Sequence, residues 1–412
     1  MHPDIVVIGG GVAGASIAYQ LAKRGKKILV LERDMLGSGS TGRAAGLLGQ
    51  LRSSEAATSM MMESLSIVKE MEARLDTNIF VQTGSLRLAT TSERQNETAK
   101  HVEFGQSLGL DINLVDRQEA QKLLPYGQFD DVLASSYCPS DGHVMPAELL
   151  DGFVRLGREA GVVFRTQAPV SEIVVKNGRV EGVQCAGEFI ASPMVVNAGG
   201  PWSYLLADLV GSTLQTCALG HYYFTTTDDV QHPVDRLSPA VRDYDNRIYS
   251  RPETGGLLVG IYEAEPDRYA MEDLPADFDM SRMSAARDNY SVALLMDAAQ
   301  RRFPFLADGV NFIVTHGIMT FSPNGSPLCG EIPEIAGLFH CSGFCGHGIV
   351  RSPVIGTIMA DLILEGKERY DLEQLRADRY FGLEGYQSRA DIIDKGVHSY
   401  AAHYGKQDPK LN

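Results

Sequence analysis

The feature that most restricts the fold is Gly9-x-Gly11-x-x-Gly14, preceded by the apolar run DIVVI at residues 4–8 and followed by a helical pattern over about 13–24. A second β-rich run, KILVL, occupies residues 27–31. The hydrophobic period passes from two to 3.6 and back, which predicts a βαβ unit. Each glycine has its own reason. Gly9 permits the tight turn out of the strand, Gly11 lets the backbone approach a pyrophosphate, and Gly14 lets helix and strand pack closely. The opening N–H groups of the helix, at Val12 and Ala13, then face the phosphates. Glu32 ends the second strand, 18 residues after Gly14, where a carboxylate accepts hydrogen bonds from a ribose diol. The glycines alone are a weak signal; with both strands, the helix and the acid in register they predict a dinucleotide site.

At 412 residues the chain exceeds one hydrophobic core, so two joined domains are expected. A β-rich region over 171–200 and an alternating set over about 214–263 follow, the latter predicting an antiparallel sheet with one face exposed. Helices are expected over about 281–303, stopped by Pro304, and over about 353–364. The nucleotide-type signals fall in three stretches. The expected class is therefore α/β: a Rossmann-like dinucleotide domain over 1–85, 145–212 and 316–366, with an inserted mixed or antiparallel β-sheet domain over 86–144 and 213–315. The tail, 367–412, is expected to pack on the surface.

Two later turns bear on which dinucleotide. VVNAGGPW (195–202) runs a strand into a glycine turn and carries the single tryptophan, and SGFCGHG (342–348) leads into the late helix. Two glycine turns converging on one elongated cofactor point to FAD, with the late helix N-terminus facing the edge of the ring that gains negative charge on reduction. The formal charge of −15 opposes nucleic acid as a partner. No membrane span is expected. Six cysteines without a C-x-x-C pair read as structural thiols in a reducing cytoplasm, and no metal site is expected. Met60–Met62 reads as core packing, and His143, His316 and His340 as structural histidines.

The chain resembles the D-amino-acid oxidase superfamily, in its sarcosine oxidase and dimethylglycine dehydrogenase branch. The resemblance rests on the opening fingerprint with Glu32, on GSTGRAAGLLGQLRS (39–53), DGHVMPAEL, NAGGPW and GFCGHGI, and on RDYDNRIYSRPETGGLLVGIYEAEP (242–266). It implies non-covalent FAD held by Gly9, Gly11, Val12, Ala13, Gly14, Glu32, Arg33, Ser40, Thr41, Arg43, Ala44, Ala45, Gly46 and Leu47. Val170, Ala198, Gly199, Trp202, Gly343, Gly346, His347, Gly348 and Ile349 complete that set. His221 in LGHYYFTTT and Tyr249 in RIYSRP match active-site positions, where weak bases keep a substrate amine neutral; His347 is a third candidate catalytic group. The implied reaction is hydride transfer from the carbon beside an amine nitrogen to flavin N5, then imine hydrolysis. The substrate class is N-methyl amino acids such as sarcosine or dimethylglycine, or a cyclic imino acid.

Three departures from the family pattern stand out. The histidine that links covalently to flavin in many relatives is replaced in Gly42-Arg43, which places a cation near the ring or the substrate. The lysine that promotes reaction with oxygen is replaced in a stretch offering Leu257 and Leu258, favouring a dehydrogenase. The lysine that holds a substrate carboxylate corresponds to Val350, with Arg351 one position later. Arg43, Arg52, Arg251 and Arg351 are therefore the candidate substrate binders. Two alternatives stay open: a 2-hydroxy-acid dehydrogenase on the same fold, and a flavin subunit that passes electrons to an acceptor protein or partner subunit.

Overall fold

The computed structural model describes residues 2–227, 231–275, 277–283, 290–367 and 369–404. The opening βαβ unit is Ile5–Ile8, Val12–Ala22 and Ile28–Leu31. These strands lie inside a six-stranded sheet in the order Leu328–Glu331, Leu338–Ser342, Val195–Asn197, Ile5–Ile8, Ile28–Leu31, Val163–Arg165. All pairs are parallel except the antiparallel first one. A parallel sheet is covered on both faces. Ile5, Val7, Ile28 and Val30 pack under the helices Val12–Ala22, Pro146–Glu159 and Gly348–Glu365. Val6, Ile8, Leu29 and Leu31 face Ile173, Val183 and Leu206 on the other side. Because Ile5–Ile8 lies between Ile28–Leu31 and the much later Val195–Asn197, connections leave it in opposite directions, and a crevice opens at its carboxyl end. Gly9 stands there with φ +112°, where a Cβ would fall 2.3 Å from the Ala198 carbonyl oxygen.

A nine-stranded mixed sheet makes the second layer, centred on Cys217–Thr226, Gly256–Ile261, Ile248–Glu253, Ala240–Asp243 and Ser85–Ala89. The expected solvent-exposed face of this sheet is corrected by the structure. Gly256–Ile261 is buried throughout and Ile248–Glu253 nearly so. One face, carrying Leu86, Val241, Ile248, Leu257 and Val259, packs on Leu295, Ala299 and Phe303 of the helix Tyr290–Arg302 and the turn after it. The other face lines an internal cavity, so the polar half of the alternation marks a site and not bulk water. Of the helix expected over about 281–303, Met280–Arg282 forms a separate short 3-10 turn and residues 284–289 lie outside the described residues. The tail departs from a purely surface position: it forms a helix, Arg389–Tyr404, whose Ile392 and Tyr400 are fully buried.

All six cysteines are buried and unlinked. Among the described residues no helix is long and apolar enough to cross a membrane.

Candidate active site

A cavity of about 1850 Å³ runs from the opening glycine turn to the cavity face of the large sheet. At one end the helix Val12–Ala22 begins on Gly11, with no side-chain cap and no acid in its first turn. The Val12 N–H donates to Thr41 Oγ1 at 3.1 Å, and a Cβ on Gly11 would stand 3.1 Å from that hydroxyl. Gly11, Val12 and Ala13 line the cavity at this uncapped helix start, the kind of place where a pyrophosphate binds. Gly14 is set by packing, since its Cβ would fall 2.0 Å from the Gly9 carbonyl oxygen. Glu32 accepts the N–H of Gly10 at 2.7 Å and of Asp34 at 2.9 Å. Burial pushes its carboxyl above the ordinary value against those two bonds. Arg33 lies over the Trp202 ring at 4.8 Å, and Val170, Ala198 and Gly199 line the same wall.

The helix Gly348–Glu365 meets the cavity in the same way. Its N-cap, His347, makes no side-chain cap and its first turn holds no acid. Gly343, Cys345 and Gly346, at φ 72°, 52° and 76°, shape the turn before it. His347 Nδ1 donates to the Cys345 carbonyl at 2.8 Å, which fixes the tautomer of a neutral ring. Between the helices the short turn Ser40–Arg43 crosses the large sheet, held by Ser40 Oγ donating to the Ile318 carbonyl at 2.6 Å. A Cβ on Gly317 would stand 2.9 Å from Arg43 Cβ, so that glycine makes room for the crossing. Two uncapped helix starts and a buried acid along one cavity fit an elongated dianionic dinucleotide such as FAD. Of the expected contacts, Gly9, Gly11, Val12, Ala13, Glu32, Thr41, Arg43, Leu47, Gly343 and Ile349 all line it, whereas Gly14 lies behind the wall.

The large sheet supplies the polar face. His221 Nε2 lies 2.8 Å from Tyr249 Oη, and their rings are near-parallel at 5.8 Å. His221 Nδ1 lies 3.0 Å from Glu263 Oε2 and 3.0 Å from Tyr400 Oη. Tyr400 also donates to Glu263. With that carboxylate as acceptor, the network assigns the proton of a neutral His221 to Nδ1 and leaves Nε2 to accept from Tyr249. Glu263 is held because the ladder between the strands carrying His221 and Leu258 ends at Tyr223 opposite Gly260. Beyond that point the Tyr222 N–H donates to Glu263 Oε1 at 3.0 Å. Gly260 leaves space for the Tyr249 ring, which a Cβ would meet at 2.0 Å.

The candidate arginines separate. Arg43, Arg52 and Arg351 line the cavity, and Arg251 does not. Arg251 is corrected to a structural role: it is 3% exposed and donates to the carbonyls of Ala45 and Pro252 and to the Glu253 carboxylate, pinning the 44–47 segment to the sheet. The sequence reading missed Glu263, Tyr400, Arg87, Arg242, Tyr244 and Tyr262. Arg242, Tyr244, Tyr262 and Glu263 stand in the segment that carries the resemblance, where strand alternation marks Arg242 for the face of Tyr249. Nothing local marks Tyr400.

Human mitochondrial dimethylglycine dehydrogenase is 29% identical over 387 residues, matching 92% of this chain and 44% of its own length. The chain thus spans less than half of that relative. Glycine oxidase of Geobacillus kaustophilus is 28% identical over 396 residues, matching 93% of this chain and 99% of its own. The crystal structure of L-proline dehydrogenase from P. horikoshii superposes with a TM-score of 0.81 at 25% identity, covering 92% of this chain and 98% of that one. The family described as FAD dependent oxidoreductase matches residues 4–362, and the chain belongs to that family.

Proposed function

We propose that this FAD-dependent oxidoreductase oxidises the C–N bond of a small secondary or tertiary amine or amino acid. The substrate is an N-methyl amino acid such as sarcosine or dimethylglycine, or a cyclic imino acid. The observation that carries this reading is the chain Tyr249–His221–Glu263/Tyr400 on the cavity face of the large sheet. On this reading residues 1–85, 145–212 and 316–366 hold the cofactor, without a covalent link, and 86–144 and 213–315 supply the substrate face.

Bound FAD supplies the hydride acceptor. The remaining chemistry falls to the chain. An ammonium has no lone pair with which to support positive charge on the carbon that loses hydride, so its proton must leave first. Tyr249 Oη takes that proton while passing its own to His221 Nε2 along the 2.8 Å contact. The imidazolium so formed keeps its Nδ1–H on the Glu263 carboxylate, and the Tyr400 hydroxyl holds that carboxylate in place. Burial of Glu263 strengthens this pairing relative to water. The helix start at His347 offers its dipole to negative charge in the cavity.

The test is anaerobic titration of the purified yellow protein with amines, amino acids and 2-hydroxy acids. The expected result is loss of the visible flavin band with an N-methyl or cyclic amino acid, and formaldehyde where an N-methyl group is the carbon oxidised. Bleaching by 2-hydroxy acids alone overturns the proposal. Acid precipitation should leave all flavin in the supernatant, and a yellow pellet would contradict the non-covalent assignment.

A further inference from the structure

One end of the cavity gathers arginine side chains from four elements of the fold. Arg87 on Ser85–Ala89 lies directly opposite Arg242 on Ala240–Asp243, and Arg242 lies directly opposite Tyr249 on Ile248–Glu253. Directly paired residues share a face, so the two guanidinium groups stand in one row with the tyrosine. Arg52 reaches the same place from the loop before the helix Glu55–Leu75, and Arg351 from the first turn of Gly348–Glu365. All four line the cavity. Arg52 Nε is shut off from solvent and has no hydrogen-bond partner among the described residues. Its Nη2 lies 3.5 Å from the Met61 sulfur. Tyr244, whose ring has Arg87 at 5.6 Å and Arg94 at 5.5 Å, closes the row.

Two observations make this cluster a ligand site and not a surface network. The chain is anionic overall, −15, yet four arginines from four separate elements meet inside it. Burial first, then repulsion from Arg351 and Arg242, brings the Arg52 guanidinium down to about 9. A guanidinium is a planar fork that matches a carboxylate bidentately. Arg52, whose buried Nε has no partner among the described residues, offers one such fork, and Arg87, Arg242 and Arg351 add positive charge around it.

We infer that the substrate carries a second anionic group, so that the preferred substrates are N-substituted amino acids with two carboxylates. The inference rests on the amine-oxidising reading: one carboxylate and the nitrogen lie toward Tyr249 and His221, and the distal carboxylate lies among Arg52, Arg87 and Arg242. The shared chemistry is a dianion, and a phosphonate offers it equally, so the test includes both.

The experiment uses the flavin-loaded protein and has two arms. The first measures perturbation of the flavin spectrum, and thermal stabilisation, by non-oxidisable glutarate, 3-phosphonopropionate and butyrate. The dianions are expected to bind about tenfold or more tighter than butyrate, with glutarate ahead, because each added charge-assisted pair contributes at least a factor of that size. Arg242→Met should remove the preference and Arg242→Lys should restore part of it. The second arm compares anaerobic bleaching by N-methylaspartate, N-methylglutamate and sarcosine, with half-saturation expected at about tenfold or more lower concentration for the dicarboxylates. Equal binding of glutarate and butyrate overturns the inference, as does phosphonate binding ahead of glutarate. If no amine bleaches the flavin but glutarate still binds preferentially, the amine reading fails and the anion site stands. If sarcosine bleaches as well as the dicarboxylates, the reverse holds. Loss of flavin from Arg242→Met with an unchanged dianion preference would assign the cluster to the cofactor and overturn the inference.

Discussion

At the residue scale, Glu263 decides whether His221 acts as more than a hydrogen-bonded ring. Its two oxygens are divided between the Tyr222 N–H and the histidine, so removing the charge while keeping the shape isolates the electrostatic part. Glu263→Gln should lower kcat/KM by about 100-fold, with flavin content unchanged; unchanged turnover would remove Glu263 from the relay. Gly11→Val puts a branched side chain where the backbone faces the phosphates and should yield colourless protein that takes up no added FAD. Arg52 gives the pH dependence. Its folded value, about 9, lies below the ordinary arginine value because of burial and of Arg351, Arg242 and Arg87, with Tyr244 acting in the opposite sense. The unfolded chain therefore binds more protons above that value, and stability gains from Arg52 deprotonation as pH rises through it. Dianion affinity moves the other way. It should be flat below about pH 8 and weaken above about 9, as Arg52 loses its charge. Gly9, Gly11, Gly14 and Glu32 were legible because turn geometry is local. The partners Glu263 and Tyr400 of His221 were not, lying 42 and 179 positions away, joined to it only through the end of a ladder and a terminal helix.

At the element scale, the helices Val12–Ala22 and Gly348–Glu365 fix the relation between the two cofactor-facing ends. They touch at Gly356, where a Cβ would fall 2.1 Å from Ser16 Oγ. Ser16 is fully buried, and that oxygen has no hydrogen-bond partner among the described residues. Gly356→Ala should thus force the helices apart, destabilising by about 1–3 kcal/mol. Ser16→Ala removes the shortest contact and an unsatisfied hydroxyl but leaves the Ser16 backbone carbon and Cβ at 2.9 Å, so the double variant should recover part of the loss in Tm. Failure of that rescue would place the constraint elsewhere. The pairing was invisible in the sequence because a glycine inside a helix records nothing of what opposes it. The alternating strands show the opposite case. Their period was legible, but alternation alone does not separate a face turned to water from one turned to a cavity, so the enclosed face was read as exposed. Arg251 illustrates the same ambiguity, sharing the face of Tyr249 while binding the Ala45 carbonyl.

At the scale of the whole molecule, the site depends on a buried ion network on the far side of the large sheet. Ala240–Asp243 sends Arg242 to the cavity and Asp243 the other way, where it meets Arg302 at 2.8 Å. Both members of that pair are almost fully buried, and Arg302 also holds Asp131 through two bonds, at 2.9 and 3.0 Å. The strand is only four residues long and joins Ser85–Ala89 to the rest of the sheet, so its position sets the row Arg87–Arg242–Tyr249. Arg302→Met leaves the Asp243 carboxylate without its cation and should destabilise the fold by about 3–5 kcal/mol, read from denaturant unfolding. If the network positions the cation row, the variant should also lose dianion preference at temperatures where it remains folded and flavin-bound. The opening glycines belong to the parallel sheet and the Arg87–Arg242 pair to the large one, so flavin retention should respond less than dianion binding. Equal loss of both would mean that the two layers yield as one unit.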